Sequence, residues 1–335
     1  MQNATFDAFD PKKYTLHWAF KTNKLQPADL WLLSKLQEKI EDLTSKLERC
    51  EFNAAVAVLD DFVIETLSRL YVPMIRKELW TDEPETLERR QTIYALLHHA
   101  LKTVTLLFNP VTPYLSEALY QKVYRQLDPA LPESVNLECW PTPNEKIRNK
   151  PLEEQFEILL KTVSIAYAAR QQGKLKRRWP LSKEIVVASE QTLDAVKCLE
   201  TLFLELTNVK AVEYAVQVPK FAGGENWVSS QEDEITVFVS GQRDDSLLGE
   251  GIMRDLARRV QALRKEMGFM PTDVLDSAHI AELDAESIAL LEPYLEEMAA
   301  LVRTGKVYLH NKQSEVEAEW HESELDGKKI FINIH

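Results

Sequence analysis

The chain has 335 residues, 45% hydrophobic and 28% charged, which is enough for more than one buried core, and no uninterrupted apolar run long enough for a membrane-spanning helix. Three scattered cysteines (Cys50, Cys139, Cys198) form neither a disulfide framework nor a zinc signature, and the start MQNATFDAFDPKKYT has no apolar signal region, so a cytoplasmic protein without a metal site is expected. The formal charge of −13 divides into −2 over residues 1–150, +4 over 151–183 and −15 over 184–335; a local basic strip can still hold phosphate, because charges are screened over about 8 Å.

All nine glycines lie at or beyond Gly173, and a long glycine-free stretch rich in Leu, Ala, Glu and Lys favours helix. Leu33, Leu36, Ile40, Leu43 and Leu47 recur every three or four residues and predict a helix after Pro27. A second helix is expected behind an N-cap at Asn53, with Val56, Leu59, Phe62, Val63, Leu67 and Leu70 on its apolar face. Pro73 should kink it or end its first part. A third is predicted from about Leu87 to Phe108, and Thr112 with Pro113 suits the N-cap and first turn of a fourth reaching about Gln126. Short connections between four such helices predict an all-α helical bundle over residues 1–150.

Prolines 129, 132, 141, 143 and 151 then mark an extended connector. A helix from about Leu152 to Gln172 leads through a basic junction into a small α/β unit ending near residue 221, with strands at 184–189 and 211–218 around a helical 191–207. Residues 222–335 read as a C-terminal α+β domain. Its expected elements are a strand at 234–240, a helix at 251–267, a strand at 274–283, a helical 284–304 and a hairpin turning at Asp326-Gly327. The fold class is therefore multidomain, a helical bundle followed by α+β.

Motifs for catalysis are missing: no Walker loop, GxGxxG, GxSxG or HExxH occurs. His98 and His99 are adjacent on the third helix and so point about 100° apart; one is expected against the core and the other in solvent, without a shared metal.

Six segments in order, DLWLLSKLQEKIEDL (29–43), DDFVIETLSRLYVPMIRKELW (60–80), LLFNPVTPYLSEALYQKV (106–123), SVNLECWP (134–141), ARQQGKLKRRWPLSKEIVVA (169–188) and GIMRDLARRVQALRKEMGFMPTD (251–273), resemble the region after the catalytic core of isoleucyl-tRNA synthetase. This is a class I synthetase, and the likeness is to its archaeal/eukaryotic form. The first three are shared with valyl and leucyl relatives; the last two favour the isoleucyl member. The resemblance implies an anticodon-binding bundle and a tRNA(Ile) partner, with the synthetase catalytic domain as a second partner and neither DNA nor membrane as a third. HIGH and KMSKS do not occur, so no aminoacylation is expected from this chain alone. It should need no cofactor, ATP and Mg being expected only for the intact enzyme.

Between Arg170 and Lys183 there are six basic residues and no acidic one: Arg170, Lys174, Lys176, Arg177, Arg178 and Lys183. Gly173 should loosen the backbone among them, so that the turn follows a curved RNA backbone. Trp179 either offers a stacking face to an unpaired base or plugs the core, and the strip itself could be a solvated loop. Two further candidate patches are Arg76, Lys77 and Trp80 at the end of the second helix, and Arg258 with Arg259 on the 251–267 helix. Helix-end electrostatics or pairing with nearby carboxylates would account for these equally well. A rival function is a protein-docking scaffold of a synthetase complex that uses the acidic 184–335 region.

Overall fold

Thr15 accepts the Trp18 N–H at 3.2 Å and starts α1 (Leu16–Lys21). Pro27 at the first helical position and Asp29, which accepts the Gln26 N–H at 2.7 Å, start α2 (Pro27–Glu48). These and the following elements come from a computed structural model that describes residues 4–5, 7–79, 83–220, 226–270, 273–315, 319–325 and 327–335. The chain divides into two units, Met1–Glu157 and Ile158–His335.

The described part of the first unit contains helices and no strand. On α2 the predicted stripe is buried from Leu33 through Leu43, with Leu47 half-buried. The next helix begins as α3 (Phe52–Asp60), widens into a π segment over Asp61–Tyr71 and returns as α4 (Val72–Leu79). Its N-cap is Glu51, not Asn53, which lies in the first turn. The chain passes through Pro73 without ending the helix; the change from π to α geometry falls at the residue before it. α5 spans Leu87–Phe108 as expected, and α6 (Pro113–Leu119) continues through a π segment, Tyr120–Arg125.

A buried charge network joins these helices. Asp29, fully buried on α2, accepts from Tyr71 Oη at 2.7 Å and from Arg89 of α5, whose Nε donates to Glu78 of α4 at 2.6 Å. His98 and His99 are both half-buried, so the expected division between core and solvent does not occur. Burial holds His98 down at about 4, and its ring meets Tyr124 edge-on at 5.4 Å.

The proline-rich segment is not a free linker. Trp140 Nε1 donates to Thr44 Oγ1 at 2.9 Å, Asn144 N to Gln37 Oε1 at 2.9 Å and Asn149 N to Ser34 Oγ at 2.7 Å, so the segment retraces α2. It delivers the chain into α7 (Lys150–Gln172). The first turns of α7 complete the first unit: Glu153 accepts from buried Ser34, and Phe156 stacks on Trp31 at 4.8 Å. The expected boundary at residue 150 falls at the start of this helix, whereas the first unit runs on into it as far as Glu157.

The second unit contains two four-stranded mixed sheets. β1 (Leu181–Val187) pairs in parallel with β2 (Val209–Ala215) and antiparallel with β4 (Ile235–Ser240), which pairs antiparallel with β3 (Trp227–Glu232). Between β1 and β2 run α8 (Glu190–Cys198) and α9 (Glu200–Thr207). The expected boundary near 221 thus lies between strands of one sheet. After α10 (Asp245–Glu266), β5 (Leu275–Ala281) leads through α11 (Ala285–Leu291) and α12 (Leu295–Val302) to its parallel neighbour β6 (Thr304–Leu309). β7 (His321–Leu325) and β8 (Lys328–Ile334) close that sheet as the predicted hairpin, although Asp326 lies outside the described residues. Met253, Leu256 and Val260 of α10 pack with Ile280, Met298 and Ile332 as its core. Among the described residues no helix is long and apolar enough to cross a membrane.

Candidate nucleic-acid interface

Leu159, Val163, Ala166 and Arg170 form the buried stripe of α7, so the first residue of the basic strip enters the protein instead of solvent. Arg170 Nη1 donates to the carbonyls of Trp179 at 3.0 Å and Lys176 at 3.3 Å, and Nη2 to that of Asn208 at 2.9 Å. Its Nε lies 3.8 Å from Glu184 Oε1. Both side chains are almost completely buried. Burial pushes the Glu184 carboxyl up to about 7 against the opposing pull of Arg170, and burial likewise lowers Arg170. Arg170 is therefore unavailable to phosphate, which corrects the sequence expectation.

The helix ends at Gln172, as its pattern predicts. Lys174 takes the left-handed conformation (φ 52°), with Leu175 N donating to Arg170 O at 2.8 Å. Gly173 does not loosen the turn; a Cβ there would come within 2.8 Å of Val228 Cγ2. The turn is fixed by its backbone bonds.

Trp179 is buried too. Its Nε1 donates to Asp255 Oδ2 at 2.9 Å, and its ring lies where a Cβ on Gly251 of α10 would come within 2.6 Å. Of the two roles left open for it, core packing is the one found, and base stacking is excluded by burial. Lys183 is half-buried and paired with Glu213 across β1 and β2.

Lys174, Lys176, Arg177 and Arg178 remain exposed on the turn. The Arg177 guanidinium lies over the Tyr167 ring, 3.6 Å from its centroid. Lys176 sits 4.5 Å over the Trp179 ring and 3.8 Å from Asp255 Oδ2. This set combines two point charges with two planar forks, the donor types that grip phosphate oxygens.

The secondary patches divide in the same way. Arg76 and Lys77 are exposed in the last turn of α4, and Trp80 lies outside the described residues. Arg258 is exposed on α10. Arg259 instead donates to the backbone carbonyls of Glu324 and Asp255, which uses the fork that a phosphate would need. Among the described residues no His, Cys, Asp or Glu cluster converges to hold a metal ion.

Sequence reasoning missed Asn208. It is left-handed at φ 55°, its carbonyl accepts from both Arg170 and Leu181 N, and its Nδ2 donates to Arg178 O at 2.9 Å. An asparagine directly after an apolar helix is the signal that could have marked it.

Residues 29–185 match the model of the anticodon-binding domain of tRNA ligase. The chain is 29% identical to the isoleucine–tRNA ligase of Pyrobaculum aerophilum over 98% of its own length and 31% of the relative's. It is 33% identical to that of Methanosarcina mazei over 78% of the chain and 23% of the relative. For that of Methanocella arvoryzae the figures are 32% identity, 95% and 28%. The chain is homologous to part of the isoleucine–tRNA ligases. It spans about a quarter to a third of the length of these relatives, and the basic turn lies wholly within the anticodon-binding match, which ends inside β1.

Proposed function

We propose that this chain is the tRNA(Ile)-recognition region of a cytoplasmic isoleucine–tRNA ligase, with the first unit as its anticodon-binding helical bundle. It grips and orients the tRNA for a catalytic domain that it does not itself provide; ATP and Mg²⁺ serve that domain, and no cofactor acts on this chain's own residues. The observation that carries this reading is the stiff turn with Lys174, Lys176, Arg177 and Arg178 exposed on it. Phosphate contacts of this kind fix the register of an RNA, while bases are read elsewhere. Arg258 on the second unit and, separately, Arg76 and Lys77 on the first are further exposed cations proposed to contact the RNA.

A salt-series titration tests it, with isoleucine tRNA, valine tRNA and an isoleucine transcript of altered anticodon. The expected result is a preference for the correct anticodon and a steep salt slope. Replacing Lys176, Arg177 and Arg178 together by alanine should flatten the slope by about two units, at roughly 0.7–0.9 per phosphate contact. Equal binding to all three RNAs would reduce the role to gripping the RNA body. No binding at low salt would favour a docking role for the acidic 184–335 region.

A further inference from the structure

The two sheets of the second unit repeat one design. Their strand orders, β2-β1-β4-β3 and β6-β5-β8-β7, correspond strand for strand, with the same parallel and antiparallel pairs. Each is preceded by a long helix, α7 or α10, and in each two short helices separate the parallel strands. The second of those helices ends on a left-handed residue, Asn208 or Arg303.

The correspondence extends to one side chain. Arg264, near the end of α10, is buried like Arg170. It donates to the carbonyl nine residues on, Asp273 at 2.6 Å, as Arg170 does to Trp179, also nine residues on. It donates to the carbonyl of left-handed Arg303 at 3.2 Å, as Arg170 does to that of left-handed Asn208. The helix ends agree as well: Phe269 N donates to Arg264 O at 3.0 Å where Leu175 N donates to Arg170 O. The first strand then donates to the same left-handed carbonyl, Leu181 N to Asn208 O and Leu275 N to Arg303 O.

We infer that the second unit is built from two copies of one module, and that in each the buried arginine is the positioning residue that shapes the turn between helix and first strand. In the first copy that turn carries Lys174, Lys176, Arg177 and Arg178, so Arg170 sets the cation geometry from the protein side without touching RNA. This use of Arg170 rests on the proposed tRNA contact; its shaping of the turn does not. A guanidinium suits the task because one planar fork reaches several carbonyls at once, which a lysine ammonium on a flexible stem cannot do.

The test compares the whole chain with Arg170→Lys, with Arg170→Met combined with Glu184→Gln so that no lone carboxylate stays buried, and with Arg264→Met as the matched control. The double variant should bind isoleucine tRNA at least tenfold more weakly, with a salt slope lower by about two units, and Arg170→Lys should fall between it and the parent. Arg264→Met should keep the parental slope. A purely structural role would lower the folded fraction in both and leave the slope of the folded protein unchanged. The second readout is trypsin cleavage after residues 174, 176, 177 and 178, followed by mass spectrometry. It should be at least tenfold faster in the double variant and unchanged in Arg264→Met. Parental slope and cleavage rate in the double variant, or an equal slope loss in Arg264→Met, would overturn the inference. If the parent itself shows no salt-dependent RNA binding, the proposed function fails and the cleavage rates alone decide whether Arg170 shapes the turn.

Discussion

Gly251 shows how a single missing atom sets the fate of a candidate site residue. A Cβ there would lie 2.6 Å from Trp179 Cδ2 and 2.7 Å from Cε3, and the indole cannot retreat without breaking its bond to Asp255. Gly251→Ala should therefore destabilise the protein by about 1–3 kcal/mol, the usual range for overpacking; an unchanged denaturation midpoint would show that the indole yields. A second prediction concerns His98. Its folded value of about 4 lies below the unfolded value of about 6.5, so between them the unfolded chain binds a proton that the folded one does not. The His98 contribution to stability should be constant above pH 7 and decline as pH falls from 6.5 towards 4, opposite in sign to that of Glu184, whose raised value of about 7 loses stability as pH rises, and His98→Asn should remove the His98 part alone. A variant with the parental pH profile would refute the assignment. At this scale the sequence displayed the cations but not their directions. Arg170 and Arg177 are the same residue type seven positions apart; only the first continues the stripe of Leu159, Val163 and Ala166, and extending the helical period one step further would have revealed it.

Among elements, those with a strong buried pattern were legible. α5 has the bounds that its spacing predicts, and β4 (ITVFVS) is almost wholly buried. The strands that escaped notice, β3 and β6, are both edge strands. With one neighbour and mixed exposure, sequences such as WVSSQE and TGKVYL carry little period-two contrast. The end of α7 at Gln172 is legible, but the turn after it is not: a glycine suggests the place where the backbone turns, whereas Gly173 meets Val228 closely and Lys174 turns left-handed. A side chain in that conformation costs roughly 1–2 kcal/mol relative to the right-handed region, a penalty that glycine escapes. Lys174→Gly should consequently stabilise the protein by up to about 1 kcal/mol while removing one exposed cation, so that the unfolding midpoint rises as the salt slope of RNA binding falls. A lower midpoint would mean that the lysine side chain contributes more than its backbone conformation costs.

For the whole molecule, composition and packing place the first boundary differently. Prolines and a change of pattern suggest an end at residue 150, yet the helix that follows carries Glu153 against Ser34 and Phe156 against Trp31. Phe156 is completely buried, so a fragment of residues 1–149 exposes the face of Trp31 and leaves buried Ser34 without its acceptor. The loss resembles a Phe→Ala truncation in a core, about 3–5 kcal/mol, or roughly 10 °C for a unit of this size. A fragment of residues 1–173 keeps both contacts and the whole of α7. It should melt cooperatively by circular dichroism, about 10 °C above the 1–149 fragment, and Phe156→Ala within it should recover most of that difference. Equal midpoints for the two fragments would return the boundary to residue 150 and reduce the start of α7 to an appendage of the first unit.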